Sequence, residues 1–208
     1  MKKNLIILFL MITFPIKAFA LIEVDITRGN LNPLPLAVSP LSIDDKSKKS
    51  FEKILKKENI GSEISTIVEN NLRTSGLFNP ISKEAFLQAP DIANLKPRFE
   101  DWNLIKAQAL ITGKVTYIDE KLRVEFRLWD VLAGKEMMAL AFTTVPSNWR
   151  RVGHIISDKI YERLTGEKGY FDTRIIYVAE EGPKTQRKKK LAIMDQDGAN
   201  NKFLTLGN

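Results

Sequence analysis

Between Lys121 and Asp130 the chain reads KLRVEFRLWD, and apolar and polar positions alternate without a break. Leu122, Val124, Phe126 and Leu128 face one way, Arg123, Glu125 and Arg127 the other. That period of two predicts a half-buried antiparallel strand. The segment before it, AQALITGKVTYI, has the β-branched and aromatic content of another strand, with the turn at Glu120-Lys121. After the Ala133-Gly134 turn, KEMMALAFTTV supplies a hairpin partner. PLAVSP, residues 35–40, reads as a short buried strand bounded by prolines, and GLFNPIS as a short extended piece.

A period of three to four marks two long helices. With Ser62 as cap, Ile64, Ile67, Val68 and Leu72 share one face, and Gly76 offers a left-handed stop after Ser75. Pro146 and Ser147 open the second, with Trp149, Val152, Ile156, Ile160 and Leu164 on one stripe and Gly166 at its end. Phe99, Trp102 and Ile105 repeat the helical spacing briefly. Two stretches lack a clear period: SIDDKSKKSFEKILKKENIG reads as a solvated loop with a short helix around residues 51–55, and QAPDIANLKP as a surface excursion. Two long helices and a meander entered through an earlier strand predict a layered α/β domain ending near residues 166–171.

Beyond that point RIIYVAEEG and KKKLAIMDQDGANNKFLTLG read as two strands, a polar turn and a third strand from Lys202. A ribbon this small is marginal in water and should belong to something larger. At the other end, Lys2 and Lys3, an apolar run from Leu5 to Phe14 and the Ala18-Phe19-Ala20 triplet make an export signal cleaved after Ala20. The run falls short of the roughly 20 residues a membrane-spanning helix needs. Next, Ile22, Val24 and Ile26 alternate with Glu23, Asp25 and Thr27, and the chain then loosens through RGNLNPLP. A strand on such a tether suits either its own domain's edge or the sheet edge of a partner.

Charge changes the picture only modestly. The signal carries Lys2, Lys3 and Lys17 and no acids, so 32 basic residues against 25 acidic ones become 29, and the net charge falls from +7 to +4. Such a balance favours nucleic acid only where it gathers on one face. The chain has no cysteine, which excludes disulfide staples and thiol chemistry.

The inventory of reactive groups is thin. His154 is the only histidine; it lies mid-helix, and bonding to Asp158 or a carbonyl accounts for it without catalysis. DQDGAN, residues 195–200, places Gly198 fourth, whereas the helix-flanked calcium loop has glycine sixth and a glutamate twelfth, so a hairpin turn at Asp197-Gly198 fits better. KTQRKKK, Lys184 to Lys190, reads as a solvated loop. Trp102, Trp129 and Trp149 suit the core or a domain edge, and Glu125 and Asp130 are too isolated for an acid/base pair. No catalytic, cofactor or metal residue is assigned.

The chain resembles the TolB family, soluble periplasmic members of the Tol-Pal envelope system. The resemblance rests on IEVDITRGNLNPLPLAV, NNLRTSGLFNPIS, LITGKV, FRLWDVLAGKEM, NWRRVGHIISDKIYERLTGEKGYFDTRIIYVAE and LAIMDQDGANNKFLT. It implies an α/β domain with a mixed sheet and two long helices, similar to the anticodon-binding domains of some tRNA synthetases, followed by a β-propeller; the likeness carries no tRNA function. The implied divisions are a signal peptide at 1–20, a partner-binding strand and tether at 21–34, the α/β domain at 35–168 and an incomplete first propeller blade at 169–208. Most of five or six blades would lie outside this sequence.

The resemblance also implies a non-enzymatic periplasmic role without cofactors. Such proteins link the inner-membrane protein TolA to the outer-membrane lipoprotein Pal, support outer-membrane invagination at cell division and maintain envelope integrity. The TolA-binding positions carried over are Leu21, Ile22, Glu23, Val24, Asp25, Ile26, Thr27, Arg28, Gly29, Asn30, Leu31 and Asn32, and Pal binding belongs to the propeller. The alternatives are a truncated relic, a hydrolase built on His154, and a polyanion-binding module built on Lys184 to Lys190.

Overall fold

The computed structural model describes residues 32–207. The signal and the strand read at 21–27 lie outside them. Asn32 and Pro33 are exposed and lead into β1, Leu34–Val38. β1 is central: it runs parallel to β3, Phe78–Pro80, on one side and to β4, Ala109–Ile118, on the other. β4 pairs antiparallel with β5, Lys121–Asp130, and β5 with β6, Lys135–Thr144. The short β2, Ser42–Ile43, runs parallel to the far part of β4. The result is a six-stranded mixed sheet in the order β3-β1-β4-β5-β6 with β2 beside β4.

One face of this sheet carries the main core. Leu36, Val38, Ile111, Val115, Val124, Phe126 and Leu128 pack under α2, Ile60–Thr74, and the helix Trp149–Thr165, which closes the sequence of helices as α5. From α2 come Ile64, Val68 and Leu72, and from α5 come Val152, Ile156, Ile160 and Leu164. The alternation read in β5 therefore holds residue by residue. α2 begins two residues before the expected cap, because the Asn59 side chain accepts from Ser62 N at 3.2 Å and takes the capping role. Gly76 takes the left-handed conformation expected of it, φ +74°.

The lysine-rich stretch is a full helix, α1, Asp45–Leu55. Asp44 caps it by accepting from Ser47 N and Ser47 Oγ, both at 2.9 Å, and Phe51 is sealed in the core four residues on. Only one or two of its residues per turn face inward, so the apolar signal is swamped by lysines. The turn after β4 is Asp119-Glu120, both at positive φ, one residue earlier than read from sequence.

The excursion after β3 is more than surface. It forms α3, Pro90–Leu95, and precedes α4, Phe99–Leu104. Ala93 and Trp102 from these helices cover Ala37, Leu110 and Val131 on the sheet's second face. Gln88 fixes the cover: its Oε1 accepts from Arg98 N and Trp102 Nε1, and its Nε2 donates to Lys96 O, each at 3.0 Å. A buried amide joined to three partners holds two six-residue helices that propensity alone would not.

After α5, Gly166 adopts the left-handed stop (φ +77°). Asp158 then accepts from Phe171 N at 2.6 Å and Asp172 N at 3.1 Å, turning the chain back along the helix. The last described unit is a three-stranded antiparallel ribbon: β7, Arg174–Glu181, β8, Lys188–Asp195, and β9, Lys202–Phe203. Ile176, Val178 and Phe203 on it are exposed.

Candidate functional site at the junction of helix and ribbon

The polar residues that the fold brings together lie where α5 meets the turn after β8. His154 is 2% exposed. Its partner is Asn71 of α2, whose Nδ2 donates to His154 Nδ1 and also to Ser157 Oγ, both at 2.9 Å. The histidine–Asp158 bond read from sequence is absent, because Asp158 is engaged by the backbone of residues 171 and 172. Gln196 of the ribbon turn donates Nε2 to Asn71 Oδ1 at 2.8 Å, so a single amide joins both long helices to the ribbon.

With Nδ1 accepting, the neutral ring carries its proton on Nε2, and that atom is buried with no hydrogen-bond partner. It points toward Asp197 Oδ2, 3.7 Å away. Arg150, one turn earlier on α5, pairs through Nη2 with the same oxygen and lies over the Trp149 ring. Burial pushes the His154 pKa below 6.5, the neighbouring Arg150 charge acts in the same direction, and Asp197, Asp195 and Asp172 oppose both. His154, Asp195 and Asp197 each offer a ligand atom, all within 4.8 Å of one another. Alongside runs a cleft of about 410 Å³ lined by Asn148, Arg151, Asp172, Arg174 and Asn200 among others. Arg151 closes one wall with a forked pair to Asp172, 3.0–3.1 Å.

The other sequence candidates scatter. Among the positions expected from the resemblance to bind TolA, only Asn32 falls within the described residues, and it is exposed. β8 starts at Lys188, so the basic run is part loop and part strand. Arg187 and Lys189 both pair with Glu180, and Lys190 with Glu181. Trp102 is buried; Trp129 donates Nε1 to Thr112 Oγ1 at 2.9 Å; Trp149 lies beneath Lys57 at 5.0 Å. Glu125 pairs with Arg123, and Asp130 caps the following turn by accepting from Ala133 N. Asn71 and Arg150 carried no chemical motif, whereas Gln196 and Asp197 lie in the DQDGAN stretch, which was read only as a turn. A legible sign of the junction was Asn71, an amide on the apolar face of α2 at four residues from Ile67.

The family model for the TolB amino-terminal domain matches residues 22–137. The Tol-Pal system protein TolB of Pelagibacter ubique (strain HTCC1062) is 85% identical over 206 residues, which is 99% of this chain and 46% of that protein. The chain thus spans about half the length of this curated relative. The crystal structure of TolB from Acinetobacter baumannii superposes with a TM-score of 0.66 at 24% identity, over 89% of this chain and 41% of that one, a likeness of fold. Matched by the domain model over more than half its length and by a relative 85% identical over 99% of it, the chain belongs to the TolB family.

Proposed function

We propose that this chain is a non-enzymatic periplasmic component of the Tol-Pal system, exported by residues 1–20, which captures TolA through residues 21–32. The ribbon from residue 169 onward begins a β-propeller that engages Pal, and the chain serves outer-membrane invagination at division and envelope integrity. The observation that carries this reading is the way the chain enters the sheet. β1 is paired on both sides, by β3 and β4, and Asn32 and Pro33 before it are exposed. The described core of the α/β unit is built from Leu34 onward, with β1 already flanked on both sides, and this supports reading the alternating segment before it as a strand for a partner's sheet edge. Among the described residues no helix is long and apolar enough to cross a membrane.

The experiment is a calorimetric titration of the C-terminal domain of TolA into the chain beginning at Leu21 and into a copy beginning at Pro33. Binding by the first alone is the expected result. Equal binding by both would move the site onto the folded domain, and binding by neither would remove TolA from the reading. The polyanion alternative is weakened by the acids that pair with Arg187, Lys189 and Lys190.

A further inference from the structure

We propose that His154 Nε2, together with the carboxylates of Asp195 and Asp197, forms a binding site for a divalent transition metal, Zn2+ foremost, that clamps the turn after β8 onto α5. The local spacing of residues 195–200 excludes a helix-flanked calcium loop, but this ligand set is assembled by the fold from two distant segments. A histidine with two carboxylates suits zinc better than calcium or magnesium, which prefer all-oxygen shells.

The histidine is the independent sign. A buried ring nitrogen without a partner is costly, and this one faces two acids. Its other nitrogen is held by Asn71, which occupies the outer position behind a metal-bound histidine but here donates to Nδ1 where such a partner would accept. Metal binding needs the Nε2 lone pair, so the proton must move to Nδ1. The surrounding amides allow this at the cost of one bond. Asn71 turns over to accept from Nδ1, and Gln196 turns with it to accept from Asn71 Nδ2. Ser157 Oγ, whose one proton goes to Gly153 O, either keeps that bond and loses Asn71 or turns its proton to Asn71 Oδ1.

Distances are compatible with modest side-chain rotation. Ligands at about 2.0–2.2 Å from a tetrahedral zinc lie roughly 3.3–3.6 Å apart; His154 Nε2 and Asp197 Oδ2 are 3.7 Å apart and the whole set lies within 4.8 Å. The Asp195 and Asp197 side chains are partly exposed, which gives them room to turn and the ion a route in from the cleft. Both carboxylates have competitors: Arg150 holds Asp197 Oδ2 in the metal's place, and Asn200 Nδ2 donates to Asp195 Oδ2, with Arg174 Nε 3.9 Å from Asp195 Oδ1. The Arg150 Nε is buried without a partner, so the guanidinium is incompletely held.

The test is Zn2+ titration of the untagged full chain by calorimetry, with Co2+ as a spectroscopic stand-in. His154→Ala and Asp195→Asn should each weaken binding by more than about a hundredfold, and Asn71→Leu, behind the ligand, by about tenfold. Arg150→Gln should tighten it, a gain that loss of fold would not produce. Because His154 is the only histidine, imidazole scattering in the X-ray absorption spectrum must come from it. Failure of the wild-type chain to take up Zn2+, undiminished binding by folded His154→Ala, or weaker binding by Arg150→Gln would overturn the proposal. TolA binding is measured separately and is untouched by any of these results.

Discussion

Asn71 Nδ2 on α2 meets His154 Nδ1 on α5 at 2.9 Å, with both residues 2% exposed. This bond is the polar centre of an otherwise apolar helix–helix contact. With Asn71 Nδ2 donating, Nδ1 accepts and the proton of the neutral ring sits on Nε2.

A pH dependence follows. The folded His154 pKa lies below 6.5 because burial disfavours the imidazolium. Between that lowered value and 6.5 the unfolded chain binds a proton that the native chain does not, so stability rises with pH across this window. The contribution is fully present above pH 6.5 and is lost as pH falls below it. Chemical denaturation of the wild type from pH 7.5 to 5 should show this slope, and His154→Gln should flatten it. An identical slope in the variant would place the effect on other groups.

What sequence revealed and what it hid divide along physical lines. β5 declares itself because one face is buried and the other wet, so alternation survives in the residues from Leu122 to Leu128. α5 does so through a single broad stripe. α1 was hidden because only Ser47 and Phe51 are fully buried, and the cap at Asp44 is one acid among many charges. The second-face cover was hidden because its cohesion comes from Gln88, a side chain whose three bonds reach eight to fourteen residues along the chain. The junction was least legible of all: Asn71 and Gln196 are 125 residues apart, and no spacing rule joins them.

α2 also meets the backbone at close quarters. A Cβ on Gly61 would lie 2.2 Å from Leu41 O, in the connection where Ser65 Oγ accepts from Leu41 N at 2.9 Å. Two effects of Gly61→Ala therefore compete. Alanine favours helix by up to about 1 kcal/mol, whereas forcing the helix away from the packed connection costs about 1–3 kcal/mol. The obstruction is a carbonyl rather than a flexible side-chain end, so the clash wins. Gly61→Ala should lower the thermal midpoint by several degrees. Gly76→Ala serves as the contrast: it meets nothing within 4 Å, and any loss there comes from its positive φ alone.

The ribbon rests on the α/β unit through few side chains, and this sets how far the two can be separated. The main core draws its last residue from Leu164, and the chain turns back through Asp158 and the buried Phe171 before β7 begins. Across the junction, Gln196 bonds Asn71 and Asp197 pairs with Arg150. The first of these is worth about 1 kcal/mol and the second, partly exposed, about 1 kcal/mol or less. At about 2–4 °C per kcal/mol for a chain of this size, a version ending at Thr173 should unfold cooperatively with a midpoint lowered by several degrees. Tryptic cleavage of the intact chain should begin at the exposed Lys184, Arg187 and Lys188, leaving the α/β unit resistant. Loss of the near-UV signal in the shortened chain would show instead that the ribbon is needed to hold α5 in place, because Asn71 without Gln196 would no longer hold His154.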